Sequence, residues 1–74
     1  MAKWRDPDIS TRAWKAVAQE AKLRKTSVRR ECDRLGIDPH TVYQWKNGIA
    51  SPSAFVLQIL ALAEYDVIWI LKGD

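Results

Sequence analysis

Apolar residues along this chain recur at helical spacing, and short polar segments separate the runs. Trp14, Val17, Ala18 and Ala21 fall at i, i+3, i+4 and i+7. That is one stripe of a helix beginning between positions 7 and 11 and ending near 23. Val28, Cys32 and Leu35 share one face of a second helix over 27–35. Val42 and Trp45 mark the inner side of a third helix over 39–47. Positions 52–65 are apolar almost all round, the pattern of a central buried helix. A last helix of one or two turns covers 67–72. There is no strand alternation. Asn47-Gly48 resembles a hairpin turn, but Trp45-Lys46 before it continues a helical pattern.

The breaks between these runs carry capping chemistry. Each proline follows a capping residue: Asp6-Pro7, Asp38-Pro39 and Ser51-Pro52. Proline suits the first helical position, where its missing N–H would have no partner anyway. The preceding Asp or Ser can accept from the free N–H groups of the first turn. Thr26-Ser27 and Asp66 offer two further caps. Gly36, Gly48 and Gly73 each close an apolar segment, where a left-handed residue costs glycine little. The expected fold is all-α: a compact bundle of about five short helices, with residues 1–9 as an N-terminal arm and 10–74 as one domain.

Length limits how such a bundle is held. A core of 74 residues supplies roughly 3–5 kcal/mol, so small domains commonly use a staple. Cys32 is the single cysteine and His40 the single histidine, so neither an internal disulfide nor a four-ligand zinc site is expected. No cofactor is expected either. Helix packing and self-association are what is left.

Charge is unevenly placed. Residues 1–46 hold eleven Lys/Arg against six Asp/Glu, a balance of +5, whereas 47–74 hold one Lys against three Asp/Glu, a balance of −2. A basic half followed by an apolar, weakly acidic half points to an anionic partner for the first. The polar start MAKWRDPDIS has no apolar signal region, and a lone cysteine fits a reducing compartment, so a cytoplasmic location is expected. Positions 53–71 approach membrane-spanning length but include Gln58, Glu64 and Asp66. Each carboxylate would cost about 2.5–3.5 kcal/mol at a bilayer centre, so no membrane span is expected. With one imidazole and no glycine-rich phosphate loop, no nucleophile–base set can be assembled, and an enzyme is not expected.

The informative stretch runs from Val28 to Asn47. Two short helices are joined by Gly36-Ile37-Asp38. Cys32 is small where they would cross, Gly36 opens the turn, Ile37 plugs it, and Val42 and Trp45 anchor the second helix. A pair built this way presents its second helix outward. Leu35-Gly36-Ile37 and the run from Thr41 through Tyr43-Gln44-Trp45-Lys46-Asn47 to Gly48 resemble the turn, recognition helix and loop of phage repressor and Cro-type (Xre-like) helix-turn-helix proteins. Ser51-Pro52-Ser53 is similar to that family's next helix start, and Ile70-Leu71-Lys72-Gly73 to its ending. The likeness spans residues 10–73, and Gln44-Trp45-Lys46 to Glu64-Tyr65 also resembles lambda CII-type activators. One position departs: Glu31 stands where the family has an aliphatic core residue. Either the second helix is rotated so that Val28, Cys32 and Leu35 form its face, or Glu31 pairs with a nearby arginine.

The resemblance implies a lambda repressor-like fold and a sequence-specific DNA-binding transcription regulator, a small phage or prophage repressor. Helix 39–47 would lie in the major groove of double-stranded DNA. His40, Tyr43 and Gln44, with Pro39 at the leading edge, are the candidates for base contact. Gln44 leads because its amide can bond adenine at two points. Lys25, Ser27, Arg29, Arg30, Thr41, Lys46, Asn47 and Ser51 are the candidates for phosphate contact. Arg29 and Arg30 could instead be surface charges paired with Asp33. Lys3-Trp4-Arg5 could reach a minor groove or form a disordered terminus. Trp4, Trp14 and Trp69 read as core or interface residues, and Cys32 as a small buried one.

The apolar half exceeds what the first three helices can cover. A leftover apolar patch marks an interaction site. The expectation is a symmetric homodimer built on Ile68, Trp69, Leu71 and part of the fourth helix. Two alternatives use the same fold: a protein-interaction module such as an antitoxin or phage accessory subunit, and a DNA-binding part of a recombination or packaging machine. The chain's start and end argue against the latter.

Overall fold

Side-chain caps set where the helices begin. The computed structural model describes residues 7–73 and contains α1 (Pro7–Leu23), α2 (Val28–Leu35), α3 (Pro39–Lys46), α4 (Ala54–Leu62) and α5 (Val67–Lys72). Among the described residues there is no strand. Ser27 Oγ accepts from Arg30 N at 3.1 Å and Asp38 Oδ1 from His40 N at 2.9 Å. Asp66 Oδ1 accepts from Trp69 N at 2.9 Å. Each bond satisfies a backbone donor of the first turn.

The fourth helix starts later than its proline implies. Ser53, not Ser51, is the cap, its Oγ accepting from Val56 N at 3.2 Å. Pro52 lies buried ahead of the helix. At the other end α4 stops at Leu62 and not at Tyr65. α3 likewise ends one residue short of expectation, with Asn47 as its C-cap.

Four helices end in the same two-bond turn. After α2 and α3, Ile37 N donates to Cys32 O (3.0 Å) and Ile49 N to Gln44 O (2.9 Å), with Gly36 and Gly48 left-handed. After α1 and α4, Thr26 N donates to Ala21 O and Tyr65 N to Leu60 O, both at 2.9 Å. There the left-handed residues are Lys25 (φ 57°) and Glu64 (φ 68°), which no glycine signals in the sequence. Gly73 closes α5 at φ 80°, and Arg12 lies against it.

The central helix is α1, not the more apolar α4. α1 packs against α2, α3 and α5, while α4 packs on α5. Ser10, Ala13, Val17 and Ala21 form its buried stripe, and Trp14 and Ala18 sit half-buried at the edge. Small residues on that stripe let three helices approach one axis closely. The core gathers Ala13, Val17, Cys32, Ile37, Val42, Trp45, Leu60 and Ile70. Leu60 is the one buried residue of α4, and Phe55 and Leu62 are 70% and 78% exposed. An all-round apolar sequence describes what a helix could bury; a short chain does not have enough partners to bury it.

Polar side chains of α1 tie distant segments to it. Ser10 Oγ donates to Ala50 O at 2.9 Å and lies 3.1 Å from Ser51 Oγ, which fastens the segment after α3. Arg12 donates from Nε to Ile70 O (2.8 Å) and from Nη2 to Leu71 O (3.1 Å), so it satisfies carbonyls at the end of α5.

Glu31 resolves by pairing. Its side chain is fully buried, and Arg34 grips it with Nε on Oε1 at 3.0 Å and Nη2 on Oε2 at 2.6 Å. Tyr65 Oη donates to Oε2 at 2.6 Å, and Arg24 Nε stands 3.8 Å from Oε1. The Arg34 bonds, aided by Tyr65 and by both guanidinium charges, hold the carboxyl below its usual range against the opposing effect of burial. Burial, with the bond to Glu31, pushes the Tyr65 phenol well up. Cys32 beside it is fully buried, and burial pushes its thiol up to about 11.

Candidate nucleic-acid interface

The turn after α2 determines which side of α3 faces solvent. Gly36 takes φ 79°, a left-handed geometry that an L side chain adopts at a cost, and its backbone N–H meets Cys32 O and Asp33 O. Ile37 is buried at 6% exposure, which seats the turn on the core. Asp38 caps α3 and Pro39 starts it. Val42 and Trp45 are completely buried. With those two inside, the 3.6-residue repeat leaves His40, Tyr43 and Gln44 on the outer side.

The outer residues are already engaged with one another. His40 and Tyr43 are exposed and Pro39, Thr41 and Gln44 are half-buried. Gln44 Nε2 lies 3.4 Å from His40 Nε2, one helical turn away. Tyr43 stacks at a tilt on Trp14 of α1, with ring centroids 5.4 Å apart. Lys46 Nζ sits 5.1 Å from the Trp14 ring centre and 5.9 Å from that of Tyr43. Trp14 packs against the core, as the sequence suggested, and its half-exposed ring also meets Tyr43 and Lys46 at the edge of the α3 surface. Its distance in sequence from Tyr43 hides this, since only the packing of α1 on α3 brings them together.

The remaining phosphate candidates sit at four places. Lys25, Ser27, Arg29 and Arg30 are exposed around the start of α2, and Ser27 Oγ is occupied as its cap. Asn47 is exposed at the end of α3. Ser51 is exposed but does not head a helix; its hydroxyl meets Ser10. The backbone N–H of Thr41 donates to Asp38 O. Ile49, 70% exposed in the loop after α3, is an apolar neighbour of this surface that periodicity did not single out. Lys3, Trp4 and Arg5 lie outside the described residues.

The other side of α1 has the opposite character. A groove of about 320 Å³ runs between the second half of α1 and the α4–α5 connection, lined in part by Glu20, Glu64, Asp66, Tyr65 and Trp69. Its α1 residues stand roughly half a helical turn from Trp14. Glu20, Glu64 and Asp66 place three carboxylates there, Glu20 paired with Arg24 at 2.9 Å.

The expected dimer residues divide. Ile68 and Leu71 are 61% and 44% exposed, whereas Trp69 is half-buried, packs on the core and lines the groove. Phe55 and Leu62 of α4 add to the exposed apolar surface. Among the described residues no helix is long and apolar enough to cross a membrane, and no group of three or more His, Cys, Asp or Glu is placed to hold a metal. Compared with models of known families, with curated proteins and with solved structures, the chain matches none.

Proposed function

We propose that the chain is a sequence-specific DNA-binding transcription regulator, a small repressor of phage type, acting in the cytoplasm. In this reading α2, the Gly36-Ile37-Asp38 turn and α3 are a helix-turn-helix, and α3 enters the major groove. The observation that carries it is α3 itself. Val42 and Trp45 are wholly buried while Tyr43 and His40 stay exposed and Gln44 half-exposed on the opposite side. Gln44 reads a base, His40 and Tyr43 add contacts beside it, and Lys46, Arg29 and Arg30 meet phosphates.

The test is Gln44→Ala against duplexes selected for wild-type binding. Its discrimination between selected and mixed-sequence DNA should fall by about 1–3 kcal/mol while mixed-sequence affinity holds. Unchanged discrimination would remove Gln44 from the reading.

The same proposal includes a symmetric dimer. Phe55, Leu62, Ile68 and Leu71 are large, apolar and exposed, which a second copy would cover. Two copies of α3 would then face half-sites roughly 34–36 Å apart. That exposed surface also fits a second reading, an interaction module whose α4–α5 side is covered by another protein. Recovery of a stoichiometric protein partner together with no salt-sensitive DNA binding would favour it.

A further inference from the structure

Lys46 is held before any partner arrives. Its ammonium stands over two rings at once, Trp14 at 5.1 Å and Tyr43 at 5.9 Å. Those rings come from different helices and hold each other at 5.4 Å with planes tilted by 40°. The contact is electrostatic, between a cation and ring faces, so it leaves ammonium N–H groups open toward solvent. A lysine on an unsupported stem must lose its rotamer freedom when it grips a phosphate. Here the two ring faces favour one position of the ammonium in the free protein.

We infer that Trp14 is a positioning residue of the interface: it fixes Lys46 and Tyr43 so that the ammonium is presented to a DNA phosphate. The inference rests on the DNA-binding reading and adds to it. α1 supplies no base contact in this scheme; it supplies the platform from which α3's last turn works. A free surface lysine adds charge wherever it wanders, whereas Lys46 adds it at one place. The gain is in affinity per contact and not in the number of contacts, which gives the two residues different signatures.

The test uses a fluorescent mixed-sequence duplex of about two helical turns, with affinity measured over a series of low salt concentrations. Lys46→Met should weaken binding and reduce the slope of log affinity on log salt by about 0.9, one phosphate contact. Trp14→Leu should weaken binding by about three- to tenfold, the scale of ordering one flexible side chain, and leave the slope unchanged. The double variant should bind within about twofold of Lys46→Met, since without the ammonium there is less for the ring to position. Trp14→Phe should recover most of the loss, because it keeps a ring face. Circular dichroism melts show whether each variant folds; if Trp14→Leu does not, the cycle is completed with Trp14→Met, which also lacks a ring face.

Independent, multiplying losses for the Trp14 and Lys46 variants, with wild-type binding intact, would overturn the positioning role alone. So would a folded Trp14→Leu or Trp14→Met variant that binds as wild type. Wild-type protein with no salt-sensitive duplex binding would overturn the DNA-binding reading, and this inference with it.

Discussion

Removing one oxygen from Tyr65 tests the account of the fold. Tyr65→Phe deletes the hydroxyl that donates to Glu31 Oε2 at 2.6 Å and changes nothing else in shape. The acceptor is a carboxylate with no exposed side-chain surface, so water cannot replace the lost donor without entering the core. Hydrogen bonds to charged groups contribute about 1.5–3 kcal/mol. Arg34 still holds both carboxylate oxygens in the variant, which places the loss near the middle, at about 2 kcal/mol. A domain of this size loses about 4–8 °C of Tm per kcal/mol, so the melt should fall by about 8–16 °C.

The loss should also depend on pH. Folded Glu31 titrates below the usual carboxylate range, so its contribution is full above the ordinary glutamate value of about 4.3 and fades as pH falls through the folded value. Tyr65→Phe removes one cause of that depression. The gap between wild type and variant should therefore be widest near neutrality and shrink in acid. Thermal and urea unfolding followed by far-UV circular dichroism, at neutral pH and at about pH 3, measure both effects. A difference below about 0.5 kcal/mol at neutral pH, or one that ignores pH, would refute the reasoning.

Gly36→Ala should cost about 1–2 kcal/mol, because the added methyl meets nothing within 4 Å and only the left-handed φ of 79° opposes it. Urea melts measure that cost, and a neutral result would mean that the turn relaxes. Lys25→Gly should be neutral to slightly stabilising, since glycine fits φ 57° but loses more entropy on folding. Cys32, fully buried with its thiol pushed up to about 11, should react with a thiol reagent at mildly alkaline pH only as fast as the chain unfolds. Prompt modification of folded protein would contradict its placement. Ile68→Glu, at a site 61% exposed, should leave the monomer folded but lower the mass seen in sedimentation to that of one chain. An unchanged mass would exclude Ile68 from the contact.

Much of the fold is legible where a local rule acts alone. Ser27, Asp38 and Asp66 cap helices because a short polar side chain just before an apolar run has few other uses there. Gly36 and Gly48 mark left-handed turns for a similar reason. Legibility ends where two rules compete or where partners are far apart. Ser51-Pro52 looked like the start of α4, yet Ser53 caps it and Pro52 went into the interior. Apolar content put α4 at the centre, yet small residues decided the matter for α1, because close approach depends on size as well as polarity. Arg34 at three residues from Glu31 is visible in the sequence, but Tyr65, thirty-four positions away, is not. On the candidate interface, the inward pair Val42 and Trp45 follows from spacing, and with it the outward set. Trp14 does not, since nothing local ties α1 to Tyr43 and Lys46.

Binding of double-stranded DNA by α3 is the proposal on which the rest depends. Selection of bound duplexes from a random pool, with the affinity of the winners measured against salt, tests it most directly. The expected outcome is an enriched, pseudo-palindromic sequence with half-sites about one helical turn apart, and affinity that falls steeply as salt rises. A pool that stays random after repeated rounds, with no salt-dependent binding to any duplex, would contradict it.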